Sequence, residues 1–102
     1  FDDYAVAVMD RFRPAPKSLV VDVGSNDGTL LAQFKSRGLR VLGVDPAQDI
    51  AQAATEAGIE TIAGFFTPGL ATEIAEGHGP AAVVTANNVF AHADDLRGIS
   101  LI

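Results

Sequence analysis

The chain has 102 residues, 48% of them hydrophobic and 20% charged, with no cysteine; this balance describes one soluble domain with its own core and excludes both a disordered tail and a disulfide-stapled scaffold. Thirteen acidic residues against seven basic ones give a net charge of −6, which excludes a surface that grips nucleic-acid backbone by counterion release and points to a small-molecule substrate. The apolar runs are only strand-length, so neither a membrane span nor a secretory signal is expected, and a cytoplasmic location fits best.

Residues 2–12 place Tyr4, Val8 and Phe12 on one helical face, until Pro14 and Pro16 stop the helix. Leu19 to Val23 reads LVVDV, a run without polar alternation that suits a strand buried on both faces. A glycine-rich turn follows. Leu30, Leu31 and Phe34 then mark the buried face of a helix from Thr29 to Arg37, closed by Gly38. Arg40 to Asp45 is the second strand; Pro46 opens a helix running to about Ala57, closed by Gly58. Ile59 to Ile62 is a third strand, and Thr67 with Pro68 forms the cap and first position of a helix of about two turns ending near Gly77. Pro80 to Ala86 is the fourth strand, releasing into a polar and aromatic turn from Asn87 to His92. Strands alternating with helices, without an internal repeat, predict an α/β fold with a partial parallel sheet and helices on both faces.

The chemistry concentrates at Asp22-Val23-Gly24-Ser25-Asn26-Asp27-Gly28. A glycine turn between a buried strand and a helix N-terminus lets backbone approach a ligand closely. The dinucleotide pattern G-x-G-x-x-G is absent, because Asn26 stands two places after Gly24, and this lowers the NAD reading. Asp45 closes the second strand 21 residues after Gly24, where a carboxylate can accept hydrogen bonds from both ribose hydroxyls. Taken singly, Asp45 before Pro46 is as well explained by a helix cap, and the two glycines by a tight turn. In this order and spacing they point together to a nucleotide-type ligand.

The pattern Asp22-x-Gly24-x-x-x-Gly28 after a strand, with Asp45 closing the next, resembles the cofactor-binding signature of class I S-adenosylmethionine-dependent methyltransferases. The strings VGSNDGTLL, GVDPA, GFF and NNVFAHADDL resemble more specifically, over about residues 18–96, the core of the C-methyltransferases that act on nucleotide-linked deoxyketosugars. The resemblance implies a Rossmann-like core with strand order 3-2-1-4, truncated relative to the family's seven strands, so that residues 1–102 form a single S-adenosylmethionine-binding domain from a longer enzyme. It implies that Gly24, Ser25, Asn26 and Gly28 surround the methionine and ribose, with Asp22 supporting the turn or the ligand amine and Asp45 holding the ribose hydroxyls. Phe65 or Phe66 would flank the adenine, although core packing explains either equally well. Asn88 would lie near the methionine end, and His92 would face the sugar and relay or stabilise charge, a role for which the sequence alone prefers a surface histidine.

The implied reaction removes a proton beside a ketone and methylates the resulting carbanion, leaving S-adenosylhomocysteine. The family's preceding metal-binding segment and following Glu-His pair have no counterpart here, so no metal site is expected and the chain should bind cofactor weakly and not turn over alone. A fourth strand ending the sheet would expose an edge, and self-association through it is expected. The competing readings are a non-catalytic methyltransferase-like binding module and a NAD-binding oxidoreductase domain.

Overall fold

A computed structural model of the chain describes residues 2–86 and 89–92, and within them the side chains of residues 3 and 5–86. The elements are α1 (Asp2–Phe12), β1 (Leu19–Val23), α2 (Thr29–Lys35), β2 (Arg40–Asp45), α3 (Gln48–Glu56), β3 (Thr61–Ala63), α4 (Pro68–His78), β4 (Ala81–Ala86) and β5 (Val89–His92). The sheet order is β3-β2-β1-β4-β5. Its first four strands run parallel in the expected 3-2-1-4 order, and β5 pairs antiparallel with β4.

β5 corrects two expectations. Val89–His92, within the segment read as a turn, is instead a strand lying antiparallel along β4, with Ala86 opposite Val89 and Val83 opposite His92. The edge of β4 is therefore paired rather than exposed, and the argument for self-association through it falls, because antiparallel pairing satisfies the backbone groups a partner chain would have used.

The strand alternation sorts side chains onto two faces. On one, Val20 of β1 and Val83 of β4 pack with Ala5 and Val8 of α1, Leu30, Leu31 and Phe34 of α2, and Ile59. On the other, Leu19, Val21, Leu42, Val44 and Val84 pack with Ile74 of α4. Both faces of β1 are thus buried, as its unbroken apolar sequence requires.

Boundaries shift for identifiable reasons. α3 starts at Gln48 rather than Pro46, because the Asp45 carboxylate accepts the Ala47 N–H at 2.9 Å and Ala47 remains extended (φ −79°, ψ 104°). β3 starts at Thr61 rather than Ile59, since the Ile59 N–H is still engaged by Ala54 O at the close of α3. α4 runs eleven residues, longer than expected, from the Thr67 cap whose hydroxyl accepts the Leu70 N–H at 3.1 Å. Among the described residues no helix is long and apolar enough to cross a membrane.

Candidate functional site

Between β1 and β4 the chain changes direction across the sheet, and the C-terminal ends of such strands frame a crevice. The turn from Asp22 to Gly28 stands at that end. Three of its residues are left-handed: Gly24 (φ 75°), Asn26 (φ 56°) and Gly28 (φ 82°). Asparagine tolerates that conformation better than most residues, which explains how the turn closes without a glycine at position 26. Gly28 is constrained twice, since a Cβ there would also meet Ile59 Cγ2 at 2.9 Å.

The turn's N–H groups are largely engaged from within. Gly24 and Ser25 donate to Val44 O (2.7 and 3.3 Å), and Gly28 donates to Ser25 O (3.0 Å). Asn26 N–H donates to Asp45 Oδ2 at 2.9 Å. At the start of α2, the Thr29 N–H and hydroxyl both donate to Asp27 Oδ1, at 3.0 and 2.6 Å, and these bonds hold the Asp27 carboxyl below the usual carboxylate range. An aspartate thus occupies the helix terminus that a phosphate would otherwise take.

Asp45 is buried and joins the two loops above β1 and β2: Oδ2 receives Asn26 N–H and Oδ1 receives Ala47 N–H. It is a helix-start cap, as one reading of the sequence held, and also a clamp on the glycine turn. Each oxygen retains a second lone pair for a ligand hydroxyl. Asp22 is buried beside it, with Thr85 Oγ1 donating to its Oδ1 at 2.7 Å. Burial pushes the Asp22 carboxyl up to about 6, the Thr85 hydrogen bond opposes that, and the Asp45 charge adds to it. Ser25 Oγ is buried without a hydrogen-bond partner among the described residues. It lies against Gly43, where any Cβ would collide with it.

The two phenylalanines beyond β3 differ. Phe65 is 67% exposed, whereas Phe66 is half-buried and packs on the cluster containing Val44 and Ile74. Phe66→Ala is expected to cost about 1–3 kcal/mol in urea denaturation and Phe65→Ala under about 0.5 kcal/mol; equal losses would show that both are core residues. Asn88 lies outside the described residues, as does the His92 side chain. The His92 backbone pairs with Val83, which in turn pairs with Val20, so it sits two residues below the level of Asp22. The structure thus gathers Asp22, Gly24, Ser25, Asn26, Gly28 and Asp45, with Phe65 exposed past the neighbouring strand.

No family model matches the chain. It is 44% identical over 81 residues, 79% of its length, to the C-methyltransferase NovU of Streptomyces niveus, of which it spans 19%. Its structure is similar to the amino pentose methyltransferase CalS10 of Micromonospora echinaspora, solved with S-adenosylmethionine bound, at 29% identity and TM-score 0.54 over 67% of this chain and 33% of that one. It is also similar in fold to a putative S-adenosylmethionine-dependent methyltransferase of Methanococcus maripaludis, at 16% identity and TM-score 0.57 over 67% and 36% of the two chains. The chain has the fold of the class I S-adenosylmethionine-dependent methyltransferases and is similar in sequence to a curated C-methyltransferase.

Sequence reasoning about this site missed three residues. Thr85 carried no signal, being a threonine in an apolar strand whose partner lies 63 residues away. Gly43 reads as a strand glycine, although such a glycine often marks close backbone or side-chain approach, here that of Ser25. Asp27 could have been found: an acidic residue immediately before the helix-start pair Gly28-Thr29 is a capping signal.

Proposed function

We propose that the chain is the cofactor-binding part of an enzyme that transfers the methyl group of S-adenosylmethionine to a small molecule, with a carbon of a nucleotide-linked ketosugar as the acceptor. The observation that carries the cofactor reading is the state of the glycine turn. Its N–H groups are engaged internally and its flanks present the carboxylates Asp22, Asp27 and Asp45. That is a poor cradle for a pyrophosphate and a good surroundings for a cationic ligand.

The residues fit such a ligand. Asp45 would accept the ribose hydroxyls with its remaining lone pairs, Asp22 the ammonium of the methionine portion, and Phe65 would offer its exposed face to the adenine. Gly24, Ser25, Asn26 and Gly28 would wrap the methionine and ribose, where the unpartnered Ser25 hydroxyl could find a partner. When bound, the sulfonium supplies an electrophilic methyl group, and these side chains supply orientation and proximity. Proton removal from the acceptor is assigned to no described side chain. The sugar acceptor and carbon transfer are supported by the names of two relatives, a C-methyltransferase and an amino pentose methyltransferase.

Calorimetric titration with S-adenosylmethionine, S-adenosylhomocysteine and NAD tests the cofactor. The first two should bind, and binding of NAD alone overturns the reading. Asp45→Ala should weaken S-adenosylmethionine binding by about 10- to 100-fold, since charge-assisted acceptors are lost from both ligand and turn; an unchanged affinity removes Asp45 from the site.

A further inference from the structure

We propose that Thr85 is a positioning residue for cofactor binding: its hydroxyl holds one oxygen of the Asp22 carboxylate and so reserves the other for the ammonium group of the bound amino-acid moiety. This rests on the functional reading above. It begins from an anomaly in β4, whose sequence is AAVVTA. Thr85 is completely buried, and valine would fill that place with the same shape and no hydroxyl to desolvate. The hydroxyl is there with a use, since it donates to Asp22 at 2.7 Å.

The register explains how the pair meets. Asp22 lies beside Gly43 of β2 and beside Thr85 of β4, and Gly43 lies beside Thr61 of β3. These positions share the face covered by α1 and α2, and they form a row in which the only ionisable member is Asp22. Among the described residues, Thr85 is the one side chain donating to that carboxylate. Burial and the neighbouring Asp45 both favour the neutral acid, and Thr85 alone favours the anion. A neutral Asp22 would attract an ammonium group far less, so the threonine sets the fraction of molecules competent to bind.

Other charged groups stand away from this pair. Asp27 is exposed and bonded to Thr29, and Lys35 of α2 is exposed and donates to Gly58 O. Asp3, Asp10 and Arg11 of α1 are exposed. β4 contains no ionisable residue, and the His92 backbone of β5 lies opposite Val83 rather than Thr85.

The test follows the Asp22 carboxyl carbon by NMR in the 102-residue chain, and S-adenosylmethionine affinity by calorimetry, between pH 5 and 8 (roughly the window centred on the expected midpoint). Wild type should titrate near 6 and bind more weakly below that pH. Thr85→Val should move the midpoint up by about one unit and so weaken binding by about 2-fold at pH 7 and about 5-fold at pH 6, as the ionised fraction of Asp22 falls. Thr85→Ser keeps the donor and should restore both, which a merely packing role for Thr85 would not produce. Should Thr85→Val fail to fold, the Ser variant still decides: a midpoint or affinity displaced as far as those values overturns the proposal. A folded Val variant with an unmoved midpoint, or a moved midpoint without loss of affinity, overturns it too. If wild type binds no S-adenosylmethionine at any pH, the functional reading fails and this proposal with it, whereas the other failures leave that reading standing.

Discussion

Gly28→Ala is expected to destabilise the chain by about 2–5 kcal/mol, enough to remove a large part of the stability of a domain of this size. Two costs add. A Cβ at φ 82° is held in the left-handed region at about 1–2 kcal/mol, and it would stand 2.9–3.1 Å from three carbons of Ile59, an overpacking typically worth about 1–3 kcal/mol. Ile59 cannot yield easily: it is 7% exposed, within the cluster of α1, α2 and the sheet, and its N–H is tied to Ala54 O. Urea denaturation measures the loss. Gly38→Ala is the control, since it shares a positive φ of 87° but has open space around it, and it should cost only the backbone part. Equal losses at the two positions would mean that the Ile59 contact contributes nothing.

Asp22→Asn should have the opposite sign. In the folded chain the Asp22 carboxyl lies at about 6 against an ordinary 3.8, so folding favours its protonated form. The stability this contributes is complete below about pH 3.8 and is lost as the pH rises through 6. By neutral pH the buried anion therefore costs about 3 kcal/mol. Asparagine keeps an oxygen to accept the Thr85 hydroxyl while removing both the charge and its repulsion from Asp45. The variant should accordingly melt higher than wild type at pH 8 and differ little at pH 4 (roughly the two sides of the titration). If the gain at pH 8 does not exceed that at pH 4, Asp22 is not the group whose ionisation costs stability. The same change should weaken S-adenosylmethionine binding, because the stability gained comes from removing the charge the ligand would use.

The parts of this site that the sequence displays are those governed by local rules. A buried strand, a left-handed turn and a helix must follow one another in that order, so LVVDV, Gly24, Gly28 and the apolar face of α2 could be read directly. Asp45 was visible by its place at the end of β2, yet its two roles were not separable: capping toward Ala47 is local, whereas the bond from Asn26 crosses 19 residues. Phe65 and Phe66 are indistinguishable as letters. Which of them faces the core depends on how the chain leaves β3 over the cluster beneath α4. The antiparallel pairing of β5 was also illegible, because a short segment such as VFAH pairs only if a strand edge is present beside it.

What the sequence determines by itself is therefore the alternation of elements, the parallel order of the first four strands through its family resemblance, and the placing of acidic and glycine residues at strand ends. The tertiary structure decides which of those acids are charged and what holds them. Asp22 is unusual because burial and Asp45 raise it and Thr85 restrains it, and none of these three influences is encoded within a few residues of position 22. Desolvation and through-space charge act over distances set by packing, and only the folded sheet brings β2 and β4 to either side of β1.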